Sequence, residues 1–474
     1  MTPHSLFAPV DERPVMSREQ MLGLTKQLLM MSSVDTVRVN ATHTARMVTR
    51  ISNDRVRLRD DGDEVQIWVI LQQGRRASVT VKTNQLSEAT LRSIVTRCED
   101  LARNQQGVPD QGLHAQQQQD TYLPVALWHD TTVHAMTTSR ETVVPAVIDH
   151  VTRHGLRAAG FVGFMARAQA MMTKEGIAAF CDETDCEVTV TARTPDDPST
   201  GWAGQAARDW QIIDYTKVAD EAAQLALRGR GAQAIEPGRR TVILGPAAVV
   251  QMMRYLAQEF DAYSTDIGGT GFSNPNGGNR LGQRMFDPRI QMSSDPADPD
   301  GGFFNFFYLG HANPKMRWIE NGVLKNLAYN PEYAMGKGKQ YADNPHSLRI
   351  SGGTTSLEAM IATCKEGVYV NRFSDVSLID MQSGMMTGVT ANGCFLVKDG
   401  KIDRPIKDLR FLESPFFMLN RLEALGPTVR ASFGYTPNGE YEYPSPYYEW
   451  PRRPMIVPAM MVRDFNFTAL ASAV

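Results

Sequence analysis

Glu236-Pro237-Gly238 ends one kind of sequence and begins another. Before it, amphipathic stretches alternate with β-like runs. After it, above all from Ser264 onward, glycine, proline, asparagine and aromatic residues become frequent, and long helical stripes nearly vanish. Short apolar runs separated by turns take their place, the pattern of a β-rich domain with long loops. The boundary falls between Arg228 and Gly238. The expected fold class is therefore α+β in two domains: an α/β N-terminal domain with an antiparallel sheet and helices over 15–228, and a β-rich C-terminal domain over 238–474.

Upstream of the boundary, Ser17-Arg18-Glu19-Gln20 reads as a capping box, because the serine accepts from a free backbone N–H while the Gln side chain reaches back. Met21, Leu24, Leu28 and Leu29 follow at helical spacing. β-like runs come next: Thr36 to Asn40, Thr44 to Ile51, Arg55 to Leu58, Val65 to Leu71 and Ala77 to Thr83. Gln73-Gly74-Arg75 supplies a turn between the last two and predicts a hairpin. Ser87 opens a second helix, with Leu91, Ile94, Val95, Cys98 and Leu101 on one stripe. The polar, non-periodic stretch Asn104 to Asp120 reads as a loop. A third helix is expected from the box Thr138-Ser139-Arg140-Glu141 to about Gly155, then strands from Phe161 to Met172 and Ile177 to Phe180, and a helix from Tyr215 to Leu227. Downstream, Ser356 to Ile361 is the clearest short helix.

With 474 residues, 42% hydrophobic and 21% charged, the chain has the composition of a globular protein able to bury a large interior. The formal net charge is -3, and no run of Lys and Arg is long enough to track a phosphate backbone, which argues against a nucleic-acid partner. No stretch of about 18 apolar residues predicts a membrane span. The start Met1-Thr2-Pro3-His4 lacks the features of a secretory signal. Five cysteines, an odd and sparse set, fit reduced thiols in a cytoplasm. Cys181 and Cys186 have no second pair and make a weak metal signal.

Gly269-Thr270-Gly271 begins like a dinucleotide fingerprint, but Asn274 stands where the third glycine belongs, and no strand-to-helix frame surrounds it. No Gly-x-Ser-x-Gly elbow and no Gly-Lys-Ser/Thr phosphate loop is present. His150 and His154 are spaced to share a helix face and to bind a metal. No glutamate follows His150 to act as a base, and the pair ends an amphipathic helix, where exposed histidines are common. His311 and His346 lie in loop-like segments, each a candidate ligand or substrate contact, although a lone loop histidine is more often a polar surface residue.

In the C-terminal half, the stretches Arg349 to Glu358, Gly367 to Phe373, Asn392 to Ile402 and Thr241 to Ala248 resemble the TldD/PmbA metallopeptidase family. Arg349-Ile350-Ser351-Gly352-Gly353-Thr354-Thr355-Ser356-Leu357-Glu358 is similar to its Gly-rich segment leading into a short helix. Gly367 to Phe373 resembles the strand that follows, and Asn392 to Ile402 its late hairpin. Thr241-Val242-Ile243-Leu244-Gly245-Pro246-Ala247-Ala248 resembles the strand and turn that open its C-terminal domain. The resemblance implies a barrel-like C-terminal domain. It also implies what an active member carries: His-Glu-x-x-x-His on the helix after the Leu-Gly-Pro turn, plus a late cysteine, as zinc ligands. Two imidazoles one turn apart grip the ion, and the glutamate takes a proton from zinc-bound water.

This chain departs from that pattern twice. Val249 to Phe260 holds no histidine, no His-Glu dipeptide occurs anywhere, and no cysteine follows Cys394, so Ala431-Ser432-Phe433-Gly434-Tyr435 supplies no thiolate. The resemblance then implies the PmbA (TldE)-type subunit: no catalytic residue and no metal in this chain, zinc in a TldD-like partner, and a heterodimer acting on small unstructured peptides in a shared cavity. Candidate cavity contacts are the loop Gly268 to Arg280 with Asn274, Asn276 and Arg280, then His311, Tyr333, and the aromatic tail Tyr441 to Trp450 with Tyr447 and Tyr448. That tail serves equally as a packed interface rim. Two other classes remain open: a stand-alone enzyme, either holding metal with His311, His346 and Cys364 or Cys394 or processing a natural-product peptide, and a homodimeric scaffold.

Overall fold

The computed structural model describes residues 13–73, 75–104, 108–109, 120–196, 198–307, 309–342, 344–345, 347–432 and 454–471. In the N-terminal half, helices α1 (Arg18–Met31), α2 (Glu88–Arg103), α3 (Asp130–Thr152) and α4 (Tyr215–Arg228) accompany seven strands. These are β1 (Thr36–Ser52), β2 (Arg55–Gln73), β3 (Arg75–Lys82), β4 (Val108–Pro109), β5 (Arg157–Thr173), β6 (Ala178–Arg193) and β7 (Thr200–Ala207). Their order is β4-β3-β2-β1-β5-β6-β7, antiparallel throughout.

The capping box at Ser17 forms: its hydroxyl accepts from the Gln20 N–H at 3.3 Å, and Gln20 Oε1 accepts from the Ser17 N–H at 2.8 Å. Val37, Val39, Ala41, Ala45 and Met47 of β1 share one core with Leu24 and Leu28 of α1, Leu91 and Cys98 of α2, Val147 of α3 and Ala222 of α4, so the helices lie over one face of the sheet. The two runs expected in 36–51 are one strand, and those in 55–71 another. Polar residues between them still pair through the backbone, Ala45 opposite Asp63 and Arg46 opposite Gly62. The β1–β2 hairpin turns at Asn53 and Asp54, both at positive φ (48° and 62°), the geometry of a two-residue type I′ turn.

Helix α3 starts at Asp130, eight residues before the expected box, and ends near Gly155 as read. Thr138 and Thr142 lie within it, their hydroxyls donating to the carbonyls of His134 and Thr138 rather than capping. Asn104 to Asp120 is a loop where described, apart from β4. Cys181 and Cys186 sit an odd number apart on β6 and face opposite sides of the sheet. All five cysteines are free and buried.

The C-terminal half is built on β8 (Gly238–Leu244). It pairs in parallel with Glu366–Asp380, which pairs with Met385–Lys398, then Leu409–Glu413, then Met455–Leu470. Met455–Leu470 pairs back onto β8, closing the ring into the expected barrel-like architecture. Leu348–Ile350, Met292–Ser294 and Met316–Glu320 extend the sheet beyond the ring. The short helix appears at Leu357–Thr363, capped by Ser356. Helix α5 (Pro246–Leu256) packs on the ring through Glu366–Asp380 and Met455–Leu470. Among the described residues no helix is long and apolar enough to cross a membrane.

The two halves meet on the face of β6 opposite its helices. Alternation puts Glu183, Asp185 and Glu187 there, all buried. Glu183 is bound by Arg208 at 3.1 Å and Arg167 at 3.2 Å, and Arg208 also donates to the carbonyl of Gly302 in the C-terminal half. Arg430 pairs with Asp185, and the Ser432 hydroxyl bonds Glu187. Burial pulls the Glu183 pKa up, but Arg208 and Arg167 outweigh it and hold the carboxyl below its ordinary value. Burial disfavours the Arg430 charge, and Asp185 more than compensates.

Arg430→Leu strands the buried Asp185 and should destabilise the protein by roughly 3–5 kcal/mol. Adding Asp185→Leu should recover much of that loss. Denaturant unfolding of the single and double variants checks this, and equal destabilisation by both would refute the coupling.

Candidate functional site

Where the halves meet, a cleft of about 630 Å³ opens. One wall is β7 and α4, with Trp202 and Gly204, then Lys217, Asp220, Glu221, Gln224 and Arg228. The other is the first turn of α5, Pro246 and Ala247, with Tyr369, Asn371 and Phe395, and Ala431 and Ser432 lie beside it. Close approaches shape it. A side chain at Gly204 would put a Cβ 2.5 Å from Ser432 Oγ and 2.9 Å from the Trp202 ring, so the glycine leaves room for the Ser432 and Trp202 side chains. The Gly245 N–H donates to the Val370 carbonyl at 2.9 Å, which seats the start of α5 on the barrel. Asn371 Nδ2 donates to the carbonyls of Trp202 at 2.8 Å and Asn392 at 3.0 Å, tying strand to strand across the halves.

The lining is mixed. Lys217, Asp220, Glu221 and Arg228 of α4 and Glu358 line it together with apolar Leu225, Leu357 and Phe395. Burial raises the Glu221 pKa, against a smaller pull from Lys217. Behind the cleft, the Arg372 guanidinium lies 4.6 Å over the Trp202 ring, and burial lowers its pKa to about 10, leaving it cationic at neutral pH. Such a surface suits an extended chain carrying both polar and apolar groups.

A zinc ion of the hydrolytic kind needs imidazoles or thiolates turned toward it. Along α5, Ala248, Val249, Val250, Met252, Met253 and Leu256 are wholly buried in the core instead. Gln251 is buried, and the Arg254 guanidinium and Tyr255 hydroxyl turn to the Val376 carbonyl. Ser432 is engaged with Glu187. The residues here do not fit the ion.

Residues 237–469 match the family model of the PmbA/TldA metallopeptidase C-terminal domain. The chain is a member of the TldD/PmbA family. Its fold is similar to that of TldE from Thermococcus kodakarensis, with a TM-score of 0.79 at 14% identity, over 94% of this chain and 99% of that one. Proteins named metalloprotease align over shorter stretches. The one from Methanothermobacter thermautotrophicus is 24% identical over 168 residues, 33% of this chain. The one from Archaeoglobus fulgidus is 25% identical over 147 residues, 27% of this chain. The chain spans about a third of the length of these relatives, 37% and 33%.

Within this TldD/PmbA-family member, the described cavity contacts expected from sequence stand apart from the cleft. Tyr333 lies on the helix Pro331–Lys337 and donates to Asp266 Oδ2 at 2.5 Å, while Asp266 Oδ1 accepts from Asn279 at 2.6 Å. Tyr333 is thereby held against the loop Gly268 to Arg280. Asn274 turns that loop through its side chain, which accepts from the N–H of exposed Asn276 at 3.0 Å, and the Arg280 N–H donates to the Phe272 carbonyl at 3.0 Å. His311 lies elsewhere, its Nδ1 3.8 Å from Asp120 and its ring near Tyr341. Burial lowers the His311 pKa, with Asp120 opposing and Arg38 assisting. Tyr447, Tyr448 and the rest of Tyr441 to Trp450, like His346, lie outside the described residues. Burial raises the Cys364 and Cys394 thiols, which disfavours the thiolate a metal needs. The one group of three clustered ligand side chains among the described residues is His150, His154 and Asp220.

Sequence reading also passed over Glu259, just beyond α5. It is 1% exposed and accepts the Gly271 N–H at 2.9 Å. Burial pushes its pKa up to about 7 from 4.5, with Gly271 pulling down and Asp380 pushing up. A carboxyl whose folded pKa exceeds its unfolded one binds its proton more tightly when folded, so its contribution fades as pH rises between those values. Stability should fall by about 3 kcal/mol between pH 4.5 and 8 in the wild type relative to Glu259→Gln, whose amide keeps the bond from Gly271. Denaturation of both across that range tests it, and parallel pH profiles would contradict it.

Proposed function

We propose that this chain is the non-catalytic PmbA (TldE)-type subunit of a cytoplasmic heterodimer whose TldD-like partner holds the zinc. The complex hydrolyses small, unstructured peptides in a shared chamber that this chain helps to wall. The domains are taken as 15–228 and 238–474. The observation that carries the reading is α5: the helix on which active members present His-Glu-x-x-x-His is here committed to core packing. With no metal ligand or general base presented by α5, the chain contributes shape rather than bond cleavage. Enclosure selects substrates by whether they can thread inside. The cleft beside Pro246 and Ala247, bounded by α4, is the surface proposed to face the peptide.

Three samples test the assignment: this chain supplied with zinc, a zinc-loaded TldD-like homologue encoded alongside it, and their mixture, each assayed on short unstructured peptides. Turnover confined to the mixture, with a heterodimer on gel filtration, is the expected result. Turnover by this chain alone would make it an enzyme in its own right, and a stable homodimer that ignores the homologue would make it a scaffold.

Gln224→Trp, on the exposed face of α4, should crowd the cleft while leaving folding intact. The mixture should then lose about tenfold in kcat/KM, close to 1.4 kcal/mol, with association unchanged. Undiminished turnover would place the peptide path elsewhere.

A further inference from the structure

His150 lies in the last turn of α3 and His154 in the turn that follows it, and α4 brings Asp220 against both. His150 Nε2 is 2.6 Å and His154 Nε2 3.6 Å from the same Asp220 oxygen. One ligand-type atom from each of the three lies within 4.8 Å of the others. Around a tetrahedral ion bound at about 2.0–2.1 Å, neighbouring ligand atoms stand roughly 3.3 Å apart, so shifts of about an ångström suffice. The side chains are free enough to make them, at 26% and 34% exposure for the histidines and 53% for Asp220.

The surroundings favour a cation. The carbonyls at the C-terminus of α3 carry the negative end of its dipole. The nearby cations have their own carboxylates, Arg153 with Asp149 and Lys217 with Glu221. Two imidazoles and one carboxylate, from the end of α3, the turn after it and α4, make a nitrogen- and oxygen-rich set suited to a divalent transition ion.

We propose that His150, His154 and Asp220 form a binding site for a divalent transition-metal ion of the zinc class, stapling the end of α3 to α4. The site is separate from α5 and has no glutamate base, so the ion has a structural role. Asp220 also lines the cleft, so occupancy fixes the wall against which a peptide would lie. The proposal does not depend on the subunit assignment, because it concerns metal affinity of the chain by itself.

The test uses the full-length chain, freed of any affinity tag, titrated with Zn²⁺ at pH 7.5 by calorimetry. The expected result is saturable binding of one ion per chain and a rise in Tm with zinc. His154→Ala and Asp220→Asn, both at partly exposed positions, should each weaken binding on the order of 10- to 100-fold and abolish the Tm rise. His311→Ala should change neither. The absence of saturable binding to the wild type, or equal affinity in the His154 and Asp220 variants, overturns the site.

Discussion

Three carboxylates on one face of one strand set the relation between the two halves. Period-two alternation sends Thr184, Cys186 and Val188 of β6 to one side of the sheet and Glu183, Asp185 and Glu187 to the other, and both sides are buried. A buried carboxylate without a partner costs several kcal/mol, so this face cannot simply be covered with apolar surface. The C-terminal half meets it with Arg430, Ser432 and the Gly302 carbonyl, the last reached through Arg208. Pairs of this kind add little net stability against a hydrophobic contact, but they allow very few alternative dockings. The cleft follows from that docking, because the contact that seats Ser432 on Glu187 also brings it against Gly204 at the cleft margin.

Helix α5 shows how core packing and metal presentation compete for one helix face. A helix that presents metal ligands must keep one face polar and open to the ion and to water. In this chain that face is filled by Val249, Val250, Met252 and Met253, and the gain is a helix sealed onto the barrel wall. Burying such side chains stabilises by about 1.5–3 kcal/mol each. Reinstalling two imidazoles would therefore forfeit packing as well as demand room for an ion. A core-packed α5 and a metal-presenting α5 exclude one another.

The strong local signals were legible in the sequence, and the signals that depend on distant partners were not. Capping at Ser17 and Ser87, the short helix after Ser356, the hairpin after Leu71 and the helix from Tyr215 are written in a few neighbouring residues, and they appear where read. The start of α3 was misplaced because Thr138 and Ser139 suit both a cap and a helix interior, and Asp130 to Met136 carries no clear stripe. From periodicity alone α5 was invisible, since a helix buried on every side has no polar face to reveal its period. The strand read from Ile177 to Phe180 stops short of the acidic alternation Glu183-x-Asp185-x-Glu187, whose partners Arg430 and Ser432 lie 245 residues beyond Asp185 and Glu187. Likewise His150 was read as a surface residue because Asp220, 70 positions on, is adjacent only in space. The cleft itself had no local signature, being made of ordinary residues from both halves.

The rigidity of α4 gives these parts a common consequence. Its inner face is Val218, Ala219, Ala222, Ala223 and Ala226, all buried, and small residues let the helix lie unusually close to the sheet. At Gly201 of β7 the approach is closest, since a Cβ there would sit 2.1 Å from the Ala222 carbonyl oxygen. A helix held this tightly cannot swing, so the cleft wall that it forms moves only with the sheet beneath it. That sheet is in turn fastened to the barrel by the carboxylates of β6. A cleft wall built this way does not adapt to its contents, and selection of a ligand rests on what fits the gap rather than on closure around it.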